Sequence, residues 1–141
     1  MIRYPSRDGW ECSEGWYSLI EKMIDELNPL SENLDINIVQ IKEKYGTLRV
    51  YIDNGTDDMY AVVDKYEIQS AKICEYCGEE ASVRNNIGWH RTLCEQHYKE
   101  ALKEFRKYWE FKDWKNYYIK LIRWGFFKWI KKIRKNFWFS S

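Results

Sequence analysis

Two short residue pairs, Cys74-Glu-Tyr-Cys77 and Cys94-Glu-Gln-His97, constrain this chain more than any other feature. In each pair the donors lie three residues apart, so one tight turn or one helical turn can aim both side chains at a common point. Three thiols and an imidazole converging in this way are the donor set of a tetrahedral Cys₃His zinc site. A filled tetrahedron leaves no position for water or substrate. The sixteen residues between Cys77 and Cys94 suffice for a short β-hairpin that returns the chain to the ion. His90 is a spare donor that could replace His97 or coordinate beside it. Reduced thiols beside a core histidine, or a disulfide, are the competing readings. The expectation is one structural Zn²⁺ ion supplying folding free energy to a unit too small to bury its own core. Function must then be sought elsewhere.

A chain of 141 residues suits one domain, or a small domain with an appendage. Cys12 is the single cysteine outside the zinc pattern, which argues against a disulfide framework and for a reducing cytoplasm. The first ten residues lack the apolar core of a secretory signal. No run of about 18 apolar residues occurs that would span a membrane. The net charge of +1 conceals a polarity: residues 1–97 hold 10 basic and 18 acidic side chains, residues 98–141 hold 13 and 4. Such segregation points to a basic tail with its own partner, or one that docks on an acidic body.

Ser13 is placed to cap a helix running to about Leu27, with Trp16, Leu19, Ile20, Met23 and Leu27 on one face. Asn28-Pro29 should end it, because a residue before proline avoids the helical region. Trp10 and Trp16 read as core anchors. Residues 35–53 alternate with β-branched enrichment on both sides of Tyr45-Gly46, which predicts a hairpin. Leu48, Val50 and Ile52 should face the core with Val39 and Ile41. Thr56-Asp57-Asp58 suits the start of a second helix reaching about Lys72, with Met59, Val62, Val63 and Tyr66 inward. Cys74 to Gly78 then forms a knuckle and Val83 to Leu93 a hairpin. Cys94 and His97 fall in the first turn of a long helix. Knuckle, hairpin and helix start together resemble a treble-clef finger. The predicted fold is α+β: a small antiparallel sheet packed by helices, a treble-clef-like zinc unit and a long basic aromatic helix. The corresponding divisions are 1–73, 74–98 and 99–141.

The polar face of the first hairpin collects Gln40, Lys42, Lys44, Arg49 and Tyr51. Three cations on adjacent strands repel one another unless an anion or neighbouring carboxylates sit among them. Arginine offers a rigid fork for phosphate or carboxylate, and lysine a mobile point charge. This face is the candidate contact for an anionic, nucleotide-like small molecule or a partner protein. The competing reading is a solvated sheet face paired with Glu43, Asp53 or acids of the Thr56 helix.

The proline-free helical pattern after residue 97 would be roughly 60 Å long if continuous, so a bend near Phe111–Lys115 or at Gly125 is expected. From Ile119 onward Ile122, Phe126, Trp129, Ile130, Ile133 and Phe137 share about a third of the wheel. Lys120, Arg123, Lys128, Lys131, Lys132, Arg134 and Lys135 take the other side, with Trp124, Phe127 and Trp138 breaking into it. From Trp114 to the last residue there are eight Lys or Arg and no acid. Such a helix can pack on the body, pair with a second copy, lie on an anionic membrane surface, or grip nucleic acid with cations and stack aromatics on unpaired bases.

The stretch Gln40-Ile-Lys-Glu-Lys-Tyr-Gly-Thr-Leu-Arg-Val-Tyr51 is preceded by Gly9-Trp10 and Trp16. It is followed by Cys74-x-x-Cys-Gly and by Trp89-x-x-x-Leu-Cys94-x-x-His97. Taken together, residues 8–98 resemble a family of small phage and prophage proteins with no assigned reaction; the basic tail departs from that pattern. The resemblance implies phage origin, zinc, and by genome context an accessory factor aimed at a host component such as its defences. The expected location is the host cytoplasm, peripheral to the inner membrane if the tail binds there. No phosphate-cradling glycine loop is present, and no nucleophile stands beside a base. Asp57 and Asp58 read as helix-start acids and Cys12 as a buried thiol. The chain is therefore expected to bind rather than catalyse.

Overall fold

Strand β1 (Asn37–Lys44) and strand β2 (Thr47–Asp53) pair antiparallel, with Lys44 opposite Thr47. Only Tyr45 and Gly46 remain for the turn, at φ of 54° and 80°. Two consecutive left-handed residues make the tight turn whose twist matches that of the strands. The computed structural model describes residues 2–32 and 34–137, apart from the side chains of residues 117, 121 and 124–137. It forms two compact units, Met1–Leu102 and Lys103–Ser141.

In the first unit, helices α1 (Tyr17–Leu30) and α2 (Asp57–Ser70) share a core with one face of the hairpin. Trp16, Ile20, Met23, Leu27, Ile41 and Leu48 are fully buried there. Val39 departs from expectation: it is 60% exposed, whereas Ile38 is buried beside Ile41. The pairing slips between Ile38 and Gln40, so Val39 is the extra residue of a β-bulge and turns outward. The chain before α1 runs along the free side of β1. Arg3 exchanges backbone hydrogen bonds with Ile36 and Ile38, and Glu11 with Ile41 and Glu43.

Helix α1 extends past Asn28-Pro29, with Pro29 in its last turn. Pro29 has no N–H to donate to the Asp25 carbonyl, so the last turn forgoes that bond and the helix ends one residue later, at Leu30. Ser13 makes no capping bond; a short 3-10 turn, Glu14–Trp16, intervenes, and the Ser13 hydroxyl donates to Glu75 Oε1 at 3.2 Å instead. Helix α2 starts as its sequence suggests, Thr56 Oγ1 accepting from the Met59 N–H at 3.4 Å. Met59, Val63 and Tyr66 are buried and Val62 is half-buried.

The outer edge of β2 is closed by α2 side chains. Ser70 Oγ accepts from the Leu48 N–H at 2.8 Å, and Glu67 Oε1 from the Val50 N–H at 2.9 Å. Burial pushes the Glu67 carboxyl up, more than the Val50 amide and the Arg49 charge pull it down. Replacing Glu67 with alanine strands the Val50 amide and should cost about 1–2 kcal/mol in urea unfolding.

A second small sheet pairs β3 (Ser82–Arg84) with β4 (Arg91–Leu93), Ser82 opposite Leu93. Cys74, Ile87 and Leu93 form its core, with Ala81, Tyr98, Ala101 and Leu102 packed against them. Helix α3 (Glu95–Phe137) follows at once. It is helical through Phe111–Lys115 and Gly125, so neither position ends the helix. One glycine costs about 1 kcal/mol, less than the hydrogen-bonded turns on both sides of it supply together. The fold is α+β with two small antiparallel sheets and three α-helices among the described residues.

Candidate metal centre

Cys74 and Cys77 come from the knuckle after α2, Cys94 from the residue preceding α3, and His97 from its first turn. The knuckle closes through the Gly78 N–H, which donates to the Cys74 carbonyl at 2.9 Å. Gly78 sits at a φ of 78°, so a side chain there would strain the turn. Cys94 lies just outside α3; its carbonyl accepts the first helical hydrogen bond, from the Tyr98 N–H at 2.9 Å.

The four ligand atoms all lie within 4.8 Å of one another. Cys77 Sγ is 3.7 Å from Cys94 Sγ, and His97 Nδ1 is 3.4 Å from Cys74 Sγ and 3.2 Å from Cys94 Sγ. A tetrahedral ion with bonds of about 2.3 Å to sulfur and about 2.0 Å to nitrogen would set sulfurs roughly 3.8 Å apart and sulfur and nitrogen roughly 3.5 Å apart. These three spacings match those figures to a few tenths of an ångström. A disulfide needs about 2.05 Å, and all four cysteines of the chain are free.

Without an ion the thiols perturb one another. Burial raises the Cys74 thiol, but backbone N–H groups of Cys94, Cys77 and Tyr76 outweigh it and leave this thiol below its usual range. The Glu79 amide pulls Cys77 down, yet desolvation and the neighbouring sulfurs leave it pushed up to about 11. Crowded thiols resist joint ionisation, and a bound cation is what removes that resistance. His90 is outside the group; its ring stands edge-on to Tyr45, centroids 6.2 Å apart. Cys12 is half-buried and apart from the cluster. Burial first, and then the Glu75 charge, push its thiol up to about 12, which suits an inert side chain.

The metal unit is tied to the body by backbone. The Gly15 N–H donates to the Glu75 carbonyl at 2.8 Å, and the Trp16 indole to the Ile73 carbonyl at 2.7 Å. On the other side the Thr92 hydroxyl donates to the Gly46 carbonyl, at the first hairpin's turn. The donor unit is therefore joined both to the start of α1 and to the turn of the first hairpin. Glu75, Thr92 and Gly15 carry no sequence signal for this task, because their partners lie 46 to 62 positions away.

The hairpin's polar face forms as expected, with Lys42 opposite Arg49 and Gln40 opposite Tyr51. Its members differ in what holds them. Gln40 donates to Glu11 Oε1 at 2.8 Å. Arg49 pairs with Glu67 at 3.2 Å, beside a groove of about 380 Å³ that Asp64 also lines. Lys42 stands 5.0 Å from the centre of the Tyr51 ring, and Lys44 5.8 Å from that of Tyr45. Neither lysine forms an ion pair among the described residues.

In the tail, Lys120 and Arg123 are exposed on α3. Trp124, Phe127, Lys128, Lys131, Lys132, Arg134 and Lys135 belong to the helical backbone, but their side chains, like Trp138 as a whole, lie outside the described residues. Comparison with known proteins finds no matching family model, no matching curated protein and no matching solved structure. The four clustered donors mark the chain as a candidate metal-binding protein.

Proposed function

We propose that the protein is a zinc-stabilised, non-catalytic binding module. The observation that carries this reading is the convergence of Cys74, Cys77, Cys94 and His97, whose donor atoms all lie within 4.8 Å of one another. Three thiolates and an imidazole suit zinc among the common divalent ions. Four protein donors fill its coordination shell, so the ion scaffolds and does not react. Binding is then the work of the hairpin joined to the donor unit. Lys42 and Lys44, each beside a tyrosine ring and without a carboxylate partner among the described residues, are the hairpin cations left to meet an anion. Arg49 and Gln40 serve mainly to hold the face in place. On the resemblance of residues 8–98 to phage and prophage proteins, the role that fits is a phage accessory factor. Such a factor would sequester a nucleotide-like anion or block a host protein, such as a defence component.

Two measurements test this. Elemental analysis of purified protein should return one zinc per chain; no stoichiometric metal would end the scaffold reading. Pull-down from bacterial lysate, with mass spectrometry of co-purifying nucleotides and proteins, should yield a species that Lys42→Ala/Lys44→Ala reduces about tenfold or more, as expected when two charge-assisted contacts of about 1 kcal/mol each are lost. Undiminished capture by that variant would remove the hairpin face from the proposal.

A further inference from the structure

The second unit is a helix with a line of exposed apolar side chains. Tyr108, Phe111, Ile119 and Ile122 are 59%, 64%, 46% and 60% exposed. At about 100° per residue they fall on one stripe of α3. Trp114 and Tyr118 flank it, stacked on each other with ring centroids 5.1 Å apart, and Lys112 stands 4.7 Å from the Trp109 ring. The sequence continues the stripe at the same period with Phe126, Trp129, Ile130 and Ile133, while the helical assignment runs to Phe137. Eight Lys or Arg and no Asp or Glu lie between Trp114 and Ser141.

That charge pattern selects the occupant. A second copy aligned in parallel would bring the cations from Lys115 onward against their equals, and no acid lies between Trp114 and Ser141 to relieve them. Nucleic acid calls for cations and stacking rings, but gives no reason for isoleucines at positions 119, 122, 130 and 133 to recur at the helical period of the sequence. An anionic lipid surface calls for both at once: phosphates outside, acyl chains beneath, and aromatic rings at the boundary. No helix among the described residues is long and apolar enough to cross a membrane. The helix therefore suits the plane of the surface.

We propose that α3 beyond Lys103 is an interfacial anchor for anionic phospholipid bilayers, its Tyr108–Ile133 stripe buried at the headgroup boundary and its cations on the phosphates. The proposal adds a place of action to the binding module and is independent of the hairpin.

The test uses the full chain with vesicles of phosphatidylcholine alone, or with one-third phosphatidylglycerol, read by flotation and by the blue shift of tryptophan emission. Binding should favour the anionic vesicles by about 100-fold or more and weaken in high salt. Ile119→Gln/Ile122→Gln keeps every charge and alters only exposed positions, so metal content should be unchanged; vesicle affinity should fall about tenfold or more. Lys42→Ala/Lys44→Ala should bind vesicles as the parent does. Absence of anionic-vesicle binding overturns the proposal, as does binding that the isoleucine variant leaves intact. A lipid-free dimer that the isoleucine variant dissociates would assign the stripe to a second copy. An oligothymidylate that binds more tightly than the vesicles and displaces them would assign the tail to nucleic acid.

Discussion

Cys94→Ser should release the metal and unfold the Cys74–Leu102 portion of the first unit. The buried cluster of that portion is Cys74, Ile87 and Leu93, too few side chains to hold two three-residue strands and a knuckle together. Structural zinc in small units contributes an apparent 10 kcal/mol or so of binding free energy that is at once folding free energy. Because the body keeps its own core, the expected net loss is smaller, about 4 kcal/mol, or a fall in melting temperature of about 15 °C for a unit near this size. Chelation of the parent protein should reproduce the effect. Acid should as well, since the metal-bound form requires thiolates: this part of the stability is present above the pH at which the metal is held and is lost as protons displace it. Cys12→Ser is the control, because Cys12 is outside the donor cluster and should leave metal content unchanged. One equivalent of zinc retained by Cys94→Ser, with an unaltered melting curve, would sink the assignment.

Gly15→Ala is expected to be the most damaging change away from the metal. A Cβ at Gly15 would stand 2.3 Å from the Cys74 carbonyl oxygen and 2.5 Å from that of Glu75. Both obstacles are backbone, held by the knuckle on one side and by the Gly15 amide bond on the other, so neither can rotate away. Relief requires separating the metal unit from the body, which also forfeits the Trp16 indole bond to Ile73. The cost should be about 3 kcal/mol, at the high end for overpacking. Glu14→Ala, one residue earlier and exposed, should change stability by no more than about 0.5 kcal/mol. Denaturant unfolding of the two variants decides the point. Equal midpoints would mean that the contact between Gly15 and the knuckle is not closely packed in solution.

Much of the fold and of the metal centre is legible in the sequence. Donor spacing identifies the cluster, Tyr45-Gly46 the turn, and Thr56 the start of α2, because each involves groups a few residues apart. Simple alternation misplaces Val39, because it runs on past a bulge. The bulge arises where β1 pairs with β2 on one side and with the chain before α1 on the other, and no local pattern announces it. The polar face is recognisable as a set, but its state is not. Glu11 and Glu67, which engage Gln40 and Arg49, approach from 29 and about 18 positions away. Helix α3 is legible as a helix throughout, because its stretch holds no proline and its one glycine, Gly125, is not enough to end it.

What this sequence determined by itself is therefore what short-range chemistry can specify: which four donors gather, where the chain turns, and how apolar and basic positions are sorted along the last helix. Only the tertiary structure decided that the donor unit joins the start of α1 through Gly15 and Glu75 and the hairpin turn through Thr92 and Gly46, and that Lys42 and Lys44 are the hairpin cations with no acidic partner among the described residues. Those outcomes rest on contacts between residues dozens of positions apart. Such contacts exist only once burial of the core has brought the segments together.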